Sequence, residues 1–233
     1  QLVDGQDVLD LGCGWGSFTL WAAERFPGSS FTAVSNSASQ RVFIEAQAER
    51  RGLTNVQAVT ADVNDLTLDQ QFDRVVSVEM FEHVRNYALL LNRISGWLKD
   101  QGKLFVHIFC HRNLMYPFET EGDGNWMARH FFTSGLMPSA DTLLYFQDDL
   151  HIERRWNVSG TNYQRTARAW LDNLDARRDE AAAALRGVYE QGEVSLWIQR
   201  WRMFFMACEE LFGYRRGREW LVCHYLFSKR QTN

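Results

Sequence analysis

Val8-Leu9-Asp10-Leu11-Gly12-Cys13-Gly14-Trp15-Gly16 is an apolar run carrying one acid that empties into three glycines at alternate positions. It has the form of a strand opening into a ligand loop. With no Cβ, the backbone at Gly12, Gly14 and Gly16 can turn tightly and approach a ligand before residues 17–25 continue as a helix. A phosphate cradle would put Lys followed by Ser or Thr here, and the dinucleotide fingerprint would place its third glycine two residues beyond Gly16. Neither pattern is present. A tight strand-to-helix turn would account for three glycines equally well, so the flanking chain has to decide.

Working outward, Phe18, Trp21, Ala22, Ala23 and Phe26 recur at helical spacing until Pro27-Gly28. Strands are expected at residues 30–34, 56–60, 72–78 and 103–109, with helices at 38–51 and 87–98 between them and a turn at Gly102. Residues 72–78 are nearly all apolar, as a strand covered on both faces should be. Five alternations of strand and helix call for a parallel sheet with right-handed crossovers. Its ligand crevice falls at the carboxyl ends of the first and fourth strands, so the glycine loop and Glu79 to His83 should face each other across it. Residues 112–138 mix Asn, Pro, Gly and Asp with aromatics and form a loop-rich insertion over the site rather than sheet. A short helix to Asp148, a strand at 151–158, helices at 167–189 and 196–212, and a terminal strand at 220–227 beside the fifth complete the chain. The expected fold is α/β, with a seven-stranded, mostly parallel sheet. Three segments are anticipated: a core over 1–110, an insertion or lid over 111–150, and C-terminal strands and aromatic helices over 151–233.

The 233 residues carry 25 Lys and Arg against 29 Asp and Glu, a net charge of −4 with the signs well mixed. Neither a nucleic-acid surface nor a basic membrane-docking face follows from that, and a small-molecule partner does. Cys13, Cys110, Cys208 and Cys223 are scattered without a Cys-x-x-Cys pair, which suits reduced thiols in the cytoplasm and no metal. No run approaches the roughly 20 residues of a membrane span. Gln1 is not an initiating Met and stands close to the first strand, so an upstream segment is expected. A homodimer is left open.

Four places offer chemistry. At the end of the second strand, where a nucleotide-binding unit usually offers an acid to a ribose, Asn36 and Gln40 offer neutral amides, though Asn36 and Ser37 would also serve as a helix cap. Asp62 and Val63 suit an adenine ring, the carboxylate for the exocyclic amine and the valine for a face; Asp62 could equally be a helix cap. Glu79, Glu82 and His83, three and four residues apart, would share one face of a helix start, and such ionisable groups are costly unless used or paired. His107 on the neighbouring strand adds a further polar group. Cys110 and His111 lack a second ligand pair at zinc spacing.

The glycine loop with Asp10 just ahead looks like the S-adenosylmethionine loop of the Rossmann-like, class I methyltransferases. Together with Ser77-Val78-Glu79-Met80-Phe81-Glu82-His83, Phe131-Phe132-Thr133, Met137-Pro138-Ser139-Ala140, Tyr145-Phe146-Gln147-Asp148-Asp149 and Leu211-Phe212-Gly213-Tyr214, it makes the chain resemble the cyclopropane fatty acid synthase superfamily, and within it the coclaurine N-methyltransferase-like branch. The resemblance implies S-adenosyl-L-methionine as cofactor, held by Asp10, Gly12, Gly14, Gly16, Asn36, Gln40, Asp62, Val63 and Glu79, and proton chemistry by Glu82 and His83. In lipid-cyclopropanating members the residues matching Glu82, His107 and Tyr163 hold a bicarbonate ion. Those enzymes add a cysteine ligand from an N-terminal segment this chain lacks, and Phe109 stands where they usually carry an aliphatic residue.

The resulting expectation is a methyltransferase whose insertion and C-terminal helix form an aromatic acceptor pocket containing Trp197, Trp201 and Phe204. Glu82, His83, Glu79, His107 and Tyr163 are the catalytic candidates. A small, alkaloid-like amine is the favoured acceptor; methylation of an unsaturated lipid and a non-catalytic S-adenosylmethionine-binding module are the rivals.

Overall fold

The structure, a computed structural model, describes residues 2–122, 124–132, 135–190 and 192–230. Thr133, in one of the strings that carry the resemblance, lies outside the described residues. The chain runs β1 (Asp7–Leu11), α1 (Ser17–Arg25), β2 (Ser30–Ser35), α2 (Ala38–Arg50), β3 (Val56–Thr60), β4 (Phe72–Val78), α3 (Tyr87–Trp97) and β5 (Leu98–His111), as the alternating pattern requires. It continues through β6 (Tyr116–Pro117), α4 (Trp126–His130), β7 (Leu136–Met137), β8 (Leu150–Val158), α5 (Thr161–Ala176), α6 (Arg178–Leu185), α7 (Val194–Gly213) and β9 (Trp220–Lys229). Seven strands form one sheet in the order β3-β2-β1-β4-β5-β9-β8. β1 pairs in parallel with β2 on one side (Leu11↔Val34) and with β4 on the other (Val8↔Arg74), so the strand order reverses at β1 and opens a crevice there. The terminal strand lies beside the fifth, as expected.

The apolar alternation of the sequence becomes the core. Val8, Ala22, Ala23, Phe31 and Val76 form one buried cluster, and Leu20, Ala33, Ile44 and Ala48 another. Ser37 caps α2 by accepting from the Gln40 amide, and Asn86 caps α3 by accepting from the Leu89 amide.

Three local expectations are corrected. Gly102 does not turn; it lies inside β5, where a Cβ would come 2.8 Å from the Lys99 carbonyl oxygen and 3.0 Å from that of Phe72, and the β4–β5 register shifts between Phe72 and Arg74. The single helix expected at 167–189 starts earlier, at Thr161, and breaks at Arg177, whose φ of −120° is not helical. The insertion does hold sheet: β6 and β7 pair antiparallel although about 20 residues separate them, a long-range pairing that leaves no local periodicity.

By its contacts the chain divides into two compact units. The first comprises Gln1–Ile108, Asp141–Trp156 and Cys223–Asn233, and the second Phe109–Ala140 and Asn157–Val222. This differs from three consecutive segments because β5, β8 and β9 are long strands that each contribute to both units. In the second unit Phe109, Met137, Phe212 and Val222 form the core, and Arg202 on α7 grips Asp175 on α5 through Nε and Nη2. Among the described residues no helix is long and apolar enough to cross a membrane.

Candidate active site

All three loop glycines have positive φ, at 83°, 54° and 77°, but for different reasons. A Cβ on Gly12 would lie 2.5 Å from Met80 Cγ, and one on Gly16 2.7 Å from Ile44 Cγ1. These two glycines are required by packing. Gly14 has nothing within 4 Å of where its Cβ would be, so it alone presents bare backbone to open space. The contact of Gly12 with Met80 also brings the loop against the Glu79 to His83 segment, meeting the expectation from topology. The Gly12 and Cys13 amides both donate to the Val34 carbonyl, at 3.0 and 2.9 Å, which folds the loop over the end of β2.

Asp10 is 2% exposed, and its carboxylate accepts a 2.7 Å hydrogen bond from Thr19 Oγ1, so it ties β1 to α1 rather than facing a ligand. Burial raises its carboxyl to about 6. Burial, helped by the Asp10 charge, pushes the Cys13 thiol up to about 12, which keeps it protonated and unreactive. Asn36 is exposed, and the Gln40 side-chain oxygen accepts from Ser35 Oγ, which orients its amide. Asp62 caps no helix; one carboxylate oxygen accepts from the backbone and side-chain nitrogens of Asn64, both at 2.8 Å. The Arg93 guanidinium then donates to the carbonyls of Val63 (2.7 Å), Asn64 and Leu66 and pins this loop.

The ends of β4 and β5 are arranged differently. Glu79 has φ 53°, a left-handed conformation costly for a residue with a side chain, and its amide donates to the His107 carbonyl at 3.0 Å. It therefore does not share a helix face with Glu82 and His83, which occupy a separate 3-10 turn, Phe81–His83. Instead Glu79 Oε1 lies 2.9 Å from His107 Nε2. Tyr87 supports the turn from α3, donating its hydroxyl to the Phe81 carbonyl at 3.1 Å and stacking on the Phe81 ring.

Glu82 is 3% exposed, and its Oε2 is a buried atom without a hydrogen-bond partner. Burial first, and then the Glu79 charge, push its carboxyl well above the usual range. His83 is half exposed with Nε2 3.9 Å from Glu82 Oε1, and burial lowers its imidazole, partly opposed by Glu79. A carboxyl whose proton affinity is raised by burial, with one bare oxygen, is suited to taking a proton.

His224 was missed from sequence. It stands on β9, and its Nε2 is 3.0 Å from His107 Nδ1. No local signal could have found it, because the strand bringing it to His107 lies 117 residues away. Ser77 was also missed; its hydroxyl donates to the Leu11 carbonyl at 2.9 Å and joins the ends of β4 and β1. His111 is structural: its Nδ1 accepts from the Asn113 and Leu114 amides, and Nε2 lies 3.3 Å from Glu219 Oε1. Among the described residues no cluster of His, Cys, Asp and Glu could hold a metal ion.

In the second unit the three anticipated rings of α7 converge on Phe131. Phe204 stacks on it at 4.3 Å, Trp201 meets its face edge-on at 4.8 Å, and Trp197 approaches at 6.3 Å while stacking on Tyr189. Arg200 lies 4.6 Å from the centre of the Trp197 ring. Tyr163 stacks on Phe212 at 4.9 Å.

A parallel sheet reversing at β1, with a glycine loop on one side of the reversal and strand-end carboxyls on the other, is the class I methyltransferase fold. The profile of the mycolic acid cyclopropane synthetase family matches residues 1–220, and the chain belongs to that family. It is 40% identical over 99% of its length to (S)-coclaurine N-methyltransferase of Papaver somniferum, and spans 66% of that relative. It is 29% identical over 78% of its length to the cyclopropane-fatty-acyl-phospholipid synthase of Escherichia coli (strain K12), of which it spans 45%. The crystal structure of coclaurine N-methyltransferase bound to N-methylheliamine and SAH superposes with a TM-score of 0.91 at 39% identity, covering 98% of this chain and 68% of the other.

Proposed function

We propose that the chain is the catalytic part of an S-adenosylmethionine-dependent methyltransferase that methylates the nitrogen of a small, aromatic, alkaloid-like amine. The observation that carries this reading is Glu82, a buried carboxyl with a bare Oε2 and a proton affinity raised by burial and by Glu79. A non-catalytic binding module has no use for so costly a group. The relationship to alkaloid N-methyltransferases supports the choice of acceptor.

The residues at the glycine loop fit the cofactor. Bare backbone at Gly14, with Gly12 and Gly16 sealed by Met80 and Ile44, leaves one place of close approach. Asn36 and Gln40 would meet the ribose hydroxyls, and Asp62 and Val63 the adenine, with Arg93 fixing their loop. S-adenosylmethionine, when bound, supplies an electrophilic sulfonium methyl group. The chain's own task is to deliver the acceptor as a neutral nitrogen, since an ammonium has no lone pair with which to attack. In this reading Glu82 Oε2 takes the ammonium proton, Glu79 holds the cation before it is deprotonated, and His83 exchanges protons with solvent. The scattered cysteines fit a cytoplasmic enzyme.

Lipid cyclopropanation is disfavoured by the same geometry. A bicarbonate at His107 would have to replace or sit beside the Glu79 carboxylate, which already lies 2.9 Å from His107 Nε2. The deciding experiment incubates the protein with methyl-labelled S-adenosylmethionine against a panel of cyclic secondary amines and unsaturated phospholipids, with and without bicarbonate. Labelled tertiary amine, indifferent to bicarbonate, is the expected product; a bicarbonate-dependent cyclopropane lipid would overturn the reading.

A further inference from the structure

We propose that His224 is a positioning residue: by donating from Nε2 to His107 Nδ1, it fixes His107 in the tautomer and orientation that present Nε2–H to Glu79. The inference rests on the amine reading for its kinetic consequences but not for its structural content. A carboxylate oxygen only accepts, so the 2.9 Å contact between Glu79 Oε1 and His107 Nε2 requires a proton on Nε2. In a neutral imidazole the other nitrogen then accepts, and the group 3.0 Å from it is His224 Nε2, which must donate. With His107 neutral the row has one sense, from His224 through His107 to Glu79.

Three strands build this row: His224 lies within β9, His107 within β5, and Glu79 directly follows β4. The His107 and His224 rings sit 4.9 Å apart at 33°, and Phe105 packs against His224 at 5.3 Å, which limits rotation of the donor ring. The ionisable groups that act on His224 are His107 and Glu79; burial and His107 lower its imidazole while Glu79 opposes them, which favours the neutral, donating ring. Glu79, Glu82 and His83 face the other end of the row. With Nε2–H donated to Glu79, His107 holds that carboxylate in place beside Glu82 only while its own ring stays aligned. That makes His224 matter for turnover without touching the acceptor.

Two variants separate positioning from packing. His224→Phe keeps a ring but removes the donor, whereas His224→Gln can restore an N–H near the Nε2 position. With 1,2,3,4-tetrahydroisoquinoline and labelled S-adenosylmethionine, His224→Phe should lower kcat roughly tenfold or more, leave KM nearly unchanged and move the acid limb of the pH profile, with His224→Gln recovering most of the rate. Equal damage by both variants, or a His224→Phe enzyme with the parent rate and profile, would overturn the proposal. Imidazole nitrogen NMR on the unmodified protein supplies a readout independent of turnover and of variant folding. His107 should show a protonated Nε2 and an accepting Nδ1, and the opposite tautomer would refute the assignment. If the unmodified protein methylates no amine, the proposed function falls, and the NMR spectrum alone judges His224.

Discussion

The carboxyl ends of β1, β2 and β3 differ from the region where the end of β4 meets His107 of β5 and His224 of β9 in how their polar groups are satisfied. At the first three, nearly every group is occupied locally: Asp10 by Thr19, Gln40 by Ser35, Asp62 by Asn64, and the Val63, Asn64 and Leu66 carbonyls by Arg93. In the second region the backbone is strained at Glu79, one buried carboxylate oxygen is bare, and His224 backs the His107 that contacts Glu79. The first is a shape held ready for a ligand. The second stores proton affinity, which only groups with incomplete solvation can do. A cofactor that is merely held needs the first arrangement, and a substrate that must lose a proton needs the second.

The largest expected effect lies on the proton-handling side. Replacing Glu82 with Gln should cost about 10²–10⁴ in kcat, abolish the rise of rate with pH as the Glu82 carboxyl ionises, and leave cofactor affinity by calorimetry intact. Because Gln carries no buried charge, its melting temperature should not fall. An active Glu82→Gln enzyme would erase the contrast between the two regions.

On the ligand-holding side, Asp10 gives a stability test. Its carboxyl is raised from 3.8 to about 6, so the folded state binds its proton more tightly than the unfolded chain. That contribution is complete below pH 3.8 and is lost as pH rises through about 6, a decline of about 3 kcal/mol. Denaturation of Asp10→Asn at several pH values should show this part of the slope missing. An unchanged slope would mean that Asp10 titrates normally.

Gly14→Val should weaken S-adenosylmethionine binding by roughly 10–100-fold in calorimetry, about 1.4–2.7 kcal/mol, through lost close approach. Gly12→Ala should instead lower the melting temperature, because its Cβ collides with Met80. If Gly14→Val binds as tightly as the parent, the cofactor site has been misassigned. The smallest effect is expected in the second unit, where Phe131→Ala removes the ring on which Phe204 and Trp201 pack and should lower the melting temperature while leaving S-adenosylmethionine affinity unchanged. An unchanged melting temperature would mean that the Phe131 cluster adds nothing to the packing of that unit.

The sequence alone determined what depends on neighbours along the chain. Apolar periodicity and turn residues located the five alternating strands and helices, and the βαβ crossover rule then brought the glycine loop to the Glu79 segment without any coordinates. It also singled out Glu79, Glu82, His83 and His107, because ionisable residues at strand ends are conspicuous. The tertiary structure decided what depends on distance through space. It separated Gly14 from Gly12 and Gly16 by what stands opposite each, turned Asp10 inward to Thr19, and paired β6 with β7. It showed Glu79 turning from a presumed helix face to His107, and supplied His224 and Arg93. The physical reason is that backbone conformation is governed over a few residues, whereas desolvation and hydrogen-bond pairing depend on groups brought together from remote strands, and no local pattern encodes which donor will face which acceptor.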